Sequence, residues 1–138
     1  MNDAGMLAPV LALVGWTFVL WVWMYVTRVP AMQRAEIDVE ELSRTGAPLV
    51  LPPEVARVAD NYNHLHEQPT LFYAVALCGQ LAGATDGLSV GLAWGYVGLR
   101  VVHSLIQATK NPIMVRFSVF ALASVVLFAL LVRVALSL

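Results

Sequence analysis

The sequence predicts an all-α integral membrane protein, a bundle of four helices running up, down, up and down. Three observations lead there. Of 138 residues, 59% are hydrophobic and only 12% are charged, where a soluble domain carries about a quarter. Mean hydropathy is +0.74, and the apolar residues gather into stretches long enough for a hydrocarbon core, which takes about 20 helical residues. Short turns at Asp86-Gly87 and Asn111-Pro112 separate the last three stretches, so those neighbours run antiparallel. The whole chain, 1–138, reads as one transmembrane domain.

The first span is expected over 6–27, without a charge. Trp21, Trp23 and Tyr25 stand near its end, where amphipathic rings mark a membrane–water interface, and Arg28 and Pro30 are expected to stop it. The N-terminus lacks a basic leader region and a small-residue cleavage site, so this helix reads as retained. Residues 31–53 form the one long hydrophilic stretch, with six charges followed by Gly46, Pro48, Pro52 and Pro53. That composition predicts a solvated loop with at most a short helical turn.

The second span, 57–83, follows Pro52-Pro53, which can open a helix. Its first half is polar and its second apolar, and together they make a helix of about 45 Å. Pro69 is expected to kink it at the transition. Spans three and four are expected over 88–109 and 113–136. Gly91, Gly95 and Gly98 are spaced for close helix packing.

Net charge is −1, and no basic patch suggests nucleic acid. The single cysteine, Cys78, permits no internal disulfide. Arg28, Arg34, Arg44 and Lys110 lie at one membrane side, with Arg57 and Arg116 near it, against Arg133 alone at the other. The positive-inside rule then makes 31–53 cytoplasmic and puts both termini outside.

Two polar stripes meet at the loop side. On the third span Arg100, His103, Ser104, Gln107 and Asn111 fall within an arc of roughly 120°. A charge inside a span costs several kcal/mol unless protein or water covers it, so it marks a candidate site. On the second, Arg57, Asp60, Asn61, His64, Glu67 and Gln68 share a face, with Asn63 at its margin. Cation, amide and carboxylate on one face suit a ligand with carboxylates, peptide amides and an amine. The alternative is pairing of Arg100 with Glu67 or Asp60 to hold the bundle together. His64 and His66 are two apart and diverge on a helix. Nothing fixes a metal geometry for His64, Glu67 and His103, and no metal is expected.

The run Arg100-Val101-Val102-His103-Ser104, then Gln107, Lys110, Pro112 and Arg116, resembles the third and fourth helices of the MAPEG family. Its members are membrane-associated proteins in eicosanoid and glutathione metabolism. Asn63-His64-Leu65-His66-Glu67-Gln68-Pro69, continuing to Phe72 and Tyr73, resembles the family's second-helix signature in the form seen in bacterial members, which suggests a bacterial inner membrane. The resemblance covers nearly the whole chain. It implies a homotrimer that binds glutathione between subunits on the cytoplasmic side. By the same resemblance Arg57, Asn63 and Glu67 hold the peptide, while Arg100, His103 and Gln107 line the cleft. Arg116 matches the arginine that stabilises the glutathione thiolate. Gln107 stands where several family enzymes have a tyrosine, Asp60 where an arginine is frequent, and the Asn63-to-Glu67 spacing is four rather than three.

The implied function is a glutathione-dependent membrane transferase or peroxidase. Its substrate would be a hydrophobic electrophile or lipid hydroperoxide arriving from the bilayer. The alternative is a non-catalytic lipid- or partner-binding protein on the same scaffold. A proton or solute pathway through Arg100, His103 and Glu67 is the weakest reading, since the sequence has no internal repeat.

Overall fold

The structure, a computed structural model, describes residues 4–138. Among them are six helices: α1 (Leu7–Arg34), α2 (Val39–Thr45), α3 (Pro53–His64), α4 (Gln68–Leu81), α5 (Gly87–Ala108) and α6 (Ile113–Leu136). Three of them, α1, α5 and α6, are long and apolar enough to cross a membrane.

The first helix runs further than expected. Pro30 sits inside α1 and removes one backbone donor, but the Ala-Met-Gln-Arg that follows it is rich in good helix formers. The stop comes at Ala35 and Glu36. The Ala35 N–H bonds back to Ala31 O, and Glu36 takes a positive φ of 52°, a geometry that closes a helix C-terminus. The predicted loop therefore holds the tail of α1 and then α2. Asp38 caps α2 by accepting from the Glu40 and Glu41 N–H groups, and Gly46 ends it in the left-handed region.

The second predicted span differs most: it is broken rather than kinked. Pro69 has no N–H to offer the carbonyl of Leu65, and its ring crowds that carbonyl. The chain makes a turn over 65–67 and restarts as α4 with Pro69 in its first turn. Local bonds cover the loose ends. His66 Nδ1 donates to Tyr62 O at 2.9 Å, and the Thr70 hydroxyl donates to Glu67 O at 2.6 Å. At 14 residues, α4 is too short to span alone.

The third and fourth predicted spans match α5 and α6 to within a residue at each end. Their contact is the most extensive in the protein, and α1 packs on α3, α4 and α5. Phe72, Tyr96, Leu13, Leu20 and Leu130 are fully buried between the helices, with the Phe72 and Tyr96 rings stacked at 4.7 Å. Gln68 ties three helices: its Nε2 donates to Ser124 Oγ at 2.8 Å, and its Oε1 accepts from the Tyr96 hydroxyl at 3.1 Å. The α5 glycines expected to pack helices do not pack within the chain. A Cβ at Gly91 or Gly98 would meet nothing within 4 Å, and one at Gly95 would reach only Val126 at 3.9 Å.

The end opposite the long loop is closed by polar contacts. Gln80 Oε1 accepts the Met6 N–H at 2.8 Å. Asp86 caps α5 through the Ser89 N–H and accepts from Arg133 Nη2 at 2.8 Å.

Candidate functional site: a buried polar cluster with a recess at its edge

Antiparallel α3 and α5 meet face to face at the loop end. Arg57 near the start of α3 donates to Thr109 O, just past the end of α5, at 2.7 Å. Two turns on, His64 meets Arg100, with Nη2 and Nδ1 3.2 Å apart, and its ring centroid lies 5.3 Å from that of His103. Asn61, fully buried, lies between those two crossings along α3.

The helical period of α5 puts Arg100, His103, Ser104 and Gln107 on one face, and that face is buried. Arg100 is 0% exposed and His103 2%. Burial of such groups normally comes with partners, yet here it does not. Arg100 Nε and Nη1, His103 Nδ1, Ser104 Oγ, Gln107 Oε1 and both side-chain polar atoms of Asn61 have none. The Arg100 guanidinium has a π contact as well, its Cζ 5.8 Å from the Phe120 ring centroid. Neither ion pair found among the described residues involves it, so the alternative pairing with Glu67 or Asp60 is not formed and His64 stands beside it instead.

Beside this cluster lies a recess of about 200 Å³ lined by His64, His103, Gln107, Arg116, Phe117 and Phe120, with Ile113 at its mouth. Arg116 projects from the first turns of α6, and Asn111 holds it, Oδ1 accepting from Nη1 at 2.6 Å. Asn111 reaches that position from the left-handed region, with φ of 54°, as the helix-to-helix turn requires. The recess therefore joins a cation, a histidine pair and an amide with aromatic walls. Such a set can hold an anionic group beside an apolar one.

The predicted residues separate into two groups. Arg100, His103, Gln107 and Arg116 come together. Asn63 and Glu67 are exposed: Asn63, within α3, lies at the margin of the buried stripe, and the break at 65–67 takes Glu67 off it, while Arg57 is engaged with the end of α5. Glu67 still lies within 4.0 Å of His64 Nε2. Phe120 was not among the expected residues, and its signal is the four-residue spacing from Arg116, which puts both on one face of α6. His64 enters as the partner of Arg100. No group of three or more metal-ligating side chains occurs among the described residues.

No curated protein and no solved structure matches the chain significantly. The family model described as "MAPEG family" matches residues 6–136. With three membrane-length apolar helices and that match over nearly its full length, this integral membrane protein belongs to the MAPEG family.

Proposed function

We propose that the protein is a glutathione-dependent membrane transferase or peroxidase acting on hydrophobic electrophiles or lipid hydroperoxides. In this reading α3 and α4 act together as one broken span, giving a four-helix bundle that assembles as a homotrimer. The observation that carries the proposal is the buried guanidinium of Arg100, which has no carboxylate partner among the described residues and shares its helix face with unpaired polar atoms. A buried cation without a counter-charge is costly. An anionic ligand seated in the adjoining recess, as glutathione would be, would supply the counter-charge across the His64 ring.

Arg116 suits the thiol end. Its guanidinium is always charged, and a fixed cation favours thiolate over thiol. The thiol proton passes to solvent and the thiolate forms a carbon–sulfur bond with the electrophile. The displaced electron pair leaves with the leaving group or takes up a proton. With a hydroperoxide, two thiols are oxidised to a disulfide while the oxygen–oxygen bond is reduced to an alcohol and water. Glu67, at the exposed rim, suits the glutathione ammonium. Arg57 spends one donor on Thr109 and keeps the rest, and the exposed Asn63 has its amide free for the peptide.

Arg116→Ala tests the assignment. Conjugation rate should fall far more than glutathione affinity, and the ultraviolet thiolate absorbance that appears on adding glutathione should be lost. If rate and absorbance both survive, Arg116 is only a helix-end anchor. The orientation proposed, loop 31–53 cytoplasmic and both termini outside a bacterial inner membrane, rests on the arginine and lysine asymmetry. A Thr45→Cys variant should be labelled only after the membrane is made permeable; labelling of intact cells would reverse it.

A second reading, lipid binding without catalysis, is favoured by one feature. A groove of about 190 Å³ runs between α1 and the α3–α4 break, lined by Val14, Phe18, Trp21, Leu65 and Tyr73 among others. Its apolar walls suit an acyl chain, and it lies on the face of α3 away from Arg116. Glutathione binding without any turnover would favour this reading.

A further inference from the structure

His64 has a role that the resemblance does not assign. Its Nδ1 lies 3.2 Å from Arg100 Nη2. Arginine can only donate, so Nδ1 must accept and carries no proton. A neutral imidazole has one N–H, and here it must be on Nε2. That nitrogen lies on the ring edge opposite the Arg100 contact, and His64 lines the recess together with Arg116. Its side chain is 29% exposed, whereas Arg100 behind it is 0%. Nothing within hydrogen-bond distance occupies Nε2, the nearest carboxylate oxygen being Glu67 Oε2 at 4.0 Å.

We propose that His64 is a tautomer-locked hydrogen-bond donor that, with Arg116, holds the anionic sulfur or oxygen of the ligand in the recess. The lock also excludes another role. With Nδ1 committed to Arg100 and Nε2 already protonated, His64 has no lone pair free to take a thiol proton. It therefore acts as a fixed dipole aimed at developing charge, which is worth most in a dry site where no reorganisation is needed. Phe117 and Phe120 supply that dryness. Arg100 then serves the recess indirectly, by holding the ring and fixing which nitrogen carries the proton, as second partners of histidines do at other polar centres.

The neighbouring His66 offers a contrast within the same turn. Its Nδ1 meets a carbonyl, Tyr62 O, at 2.9 Å, and a carbonyl can only accept. His66 therefore carries its proton on Nδ1, opposite to His64.

The inference rests on the proposed anionic ligand, and its test separates the two. Nitrogen-15 spectra of the histidine-labelled protein in detergent should show His64 bare at Nδ1 and protonated at Nε2, with His66 reversed. The His64 signals are assigned by their loss in His64→Asn. A protonated Nδ1 on His64 overturns the inference without any ligand being needed. Binding is then measured with glutathione sulfonate, whose sulfur group is permanently anionic. Asn presents an oxygen where Nδ1 stood, so His64→Asn keeps the Arg100 contact and loses the donor. Gln presents an N–H where Nε2 stood. His64→Asn should weaken sulfonate binding about tenfold, the scale of one hydrogen bond to a charged group, and His64→Gln should retain most of it. Equal binding by wild type and His64→Asn overturns the donor role while leaving the glutathione reading intact. A wild type that binds neither glutathione nor its sulfonate removes the glutathione reading, and the donor role with it.

Discussion

The two ends of α5 treat polar side chains in opposite ways. At the Gly87 end Asp86, Ser89 and Arg133 satisfy one another. Ser89 Oγ donates to Asp86 Oδ1 at 2.7 Å, and Arg133 donates from Nε to Ser89 Oγ at 3.0 Å and from Nη2 to Asp86. Asp86 and Arg133 are part-exposed, so water supplies what protein does not, while the buried Ser89 bonds to both. At the Ala108 end the polar groups are more deeply buried and less well served. Arg100, Ser104 and Asn61 are 0% exposed, and each keeps at least one unpartnered atom. A closed cluster at a helix end is what structure alone requires. An open one in the interior costs about 1–3 kcal/mol for each unpaired group, so it persists where something outside the chain completes it. The contrast separates a clamp from a site.

The largest effect should come from removing the uncompensated charge. Arg100→Met should weaken glutathione binding by about ten- to a hundredfold, since it removes the cation behind the recess and releases the His64 ring that it holds. It should leave thermal stability unchanged or higher, because an unpaired buried cation is replaced by an apolar chain of similar reach. A large fall in melting temperature without loss of binding would make Arg100 part of a clamp like Arg133. Next comes the link between the two ends. Gln68→Leu strands the Tyr96 hydroxyl, which is on a fully buried residue, and should destabilise the protein by about 1–2 kcal/mol in denaturant titrations.

A smaller effect tests the clamp by pH. Hydrogen bonding from Ser89 first, with the Arg133 charge adding to it, lowers the Asp86 carboxyl from 3.8 to about 2. A depressed carboxylate contributes stability above its unfolded value, and that contribution is lost as pH falls through the folded one. Melting temperature should therefore hold down to about pH 4 with respect to this group and decline toward pH 2; Asp86→Asn should remove that step. If the step remains in Asp86→Asn, another carboxylate is responsible. The smallest effect is Gly91→Ala. The new methyl meets nothing within the chain, and helix propensity alone should add up to about 1 kcal/mol. Loss of assembly on native mass spectrometry would instead show that another helix packs on this face.

The sequence made α5 and α6 legible nearly to the residue, because a capping Asp86 and an Asn111-Pro112 turn bracket uninterrupted apolar runs. The α5 stripe was legible too, since a helical period places Arg100, His103, Ser104 and Gln107 together whatever packs against them. The α3–α4 break was legible only in position. Pro69 marks where a helix loses a bond, but whether it bends or stops depends on whether His66 and Thr70 can cover the freed carbonyls. The break displaces Glu67, whose expected placement needs a continuous helix, while Asn63 stays within α3 at the margin of its stripe. The end of α1 was misjudged for a related reason: Pro30 removes one donor, and the helix formers after it carry the turn. Which partner Arg100 would choose was beyond the sequence, since His64, Asp60 and Glu67 all stand within reach on one strip and only tertiary packing decides.

The central claim is that the open cluster awaits an anionic, amide-bearing ligand, and calorimetry on detergent-purified protein tests it most directly. Glutathione should bind the wild type with a dissociation constant below about 1 mM, equivalent to roughly 4 kcal/mol of binding free energy. Binding should be much weaker in Arg100→Met and unchanged in Arg133→Met, which alters only the clamp. Absence of binding in the wild type, or equal binding in all three proteins, would contradict the account.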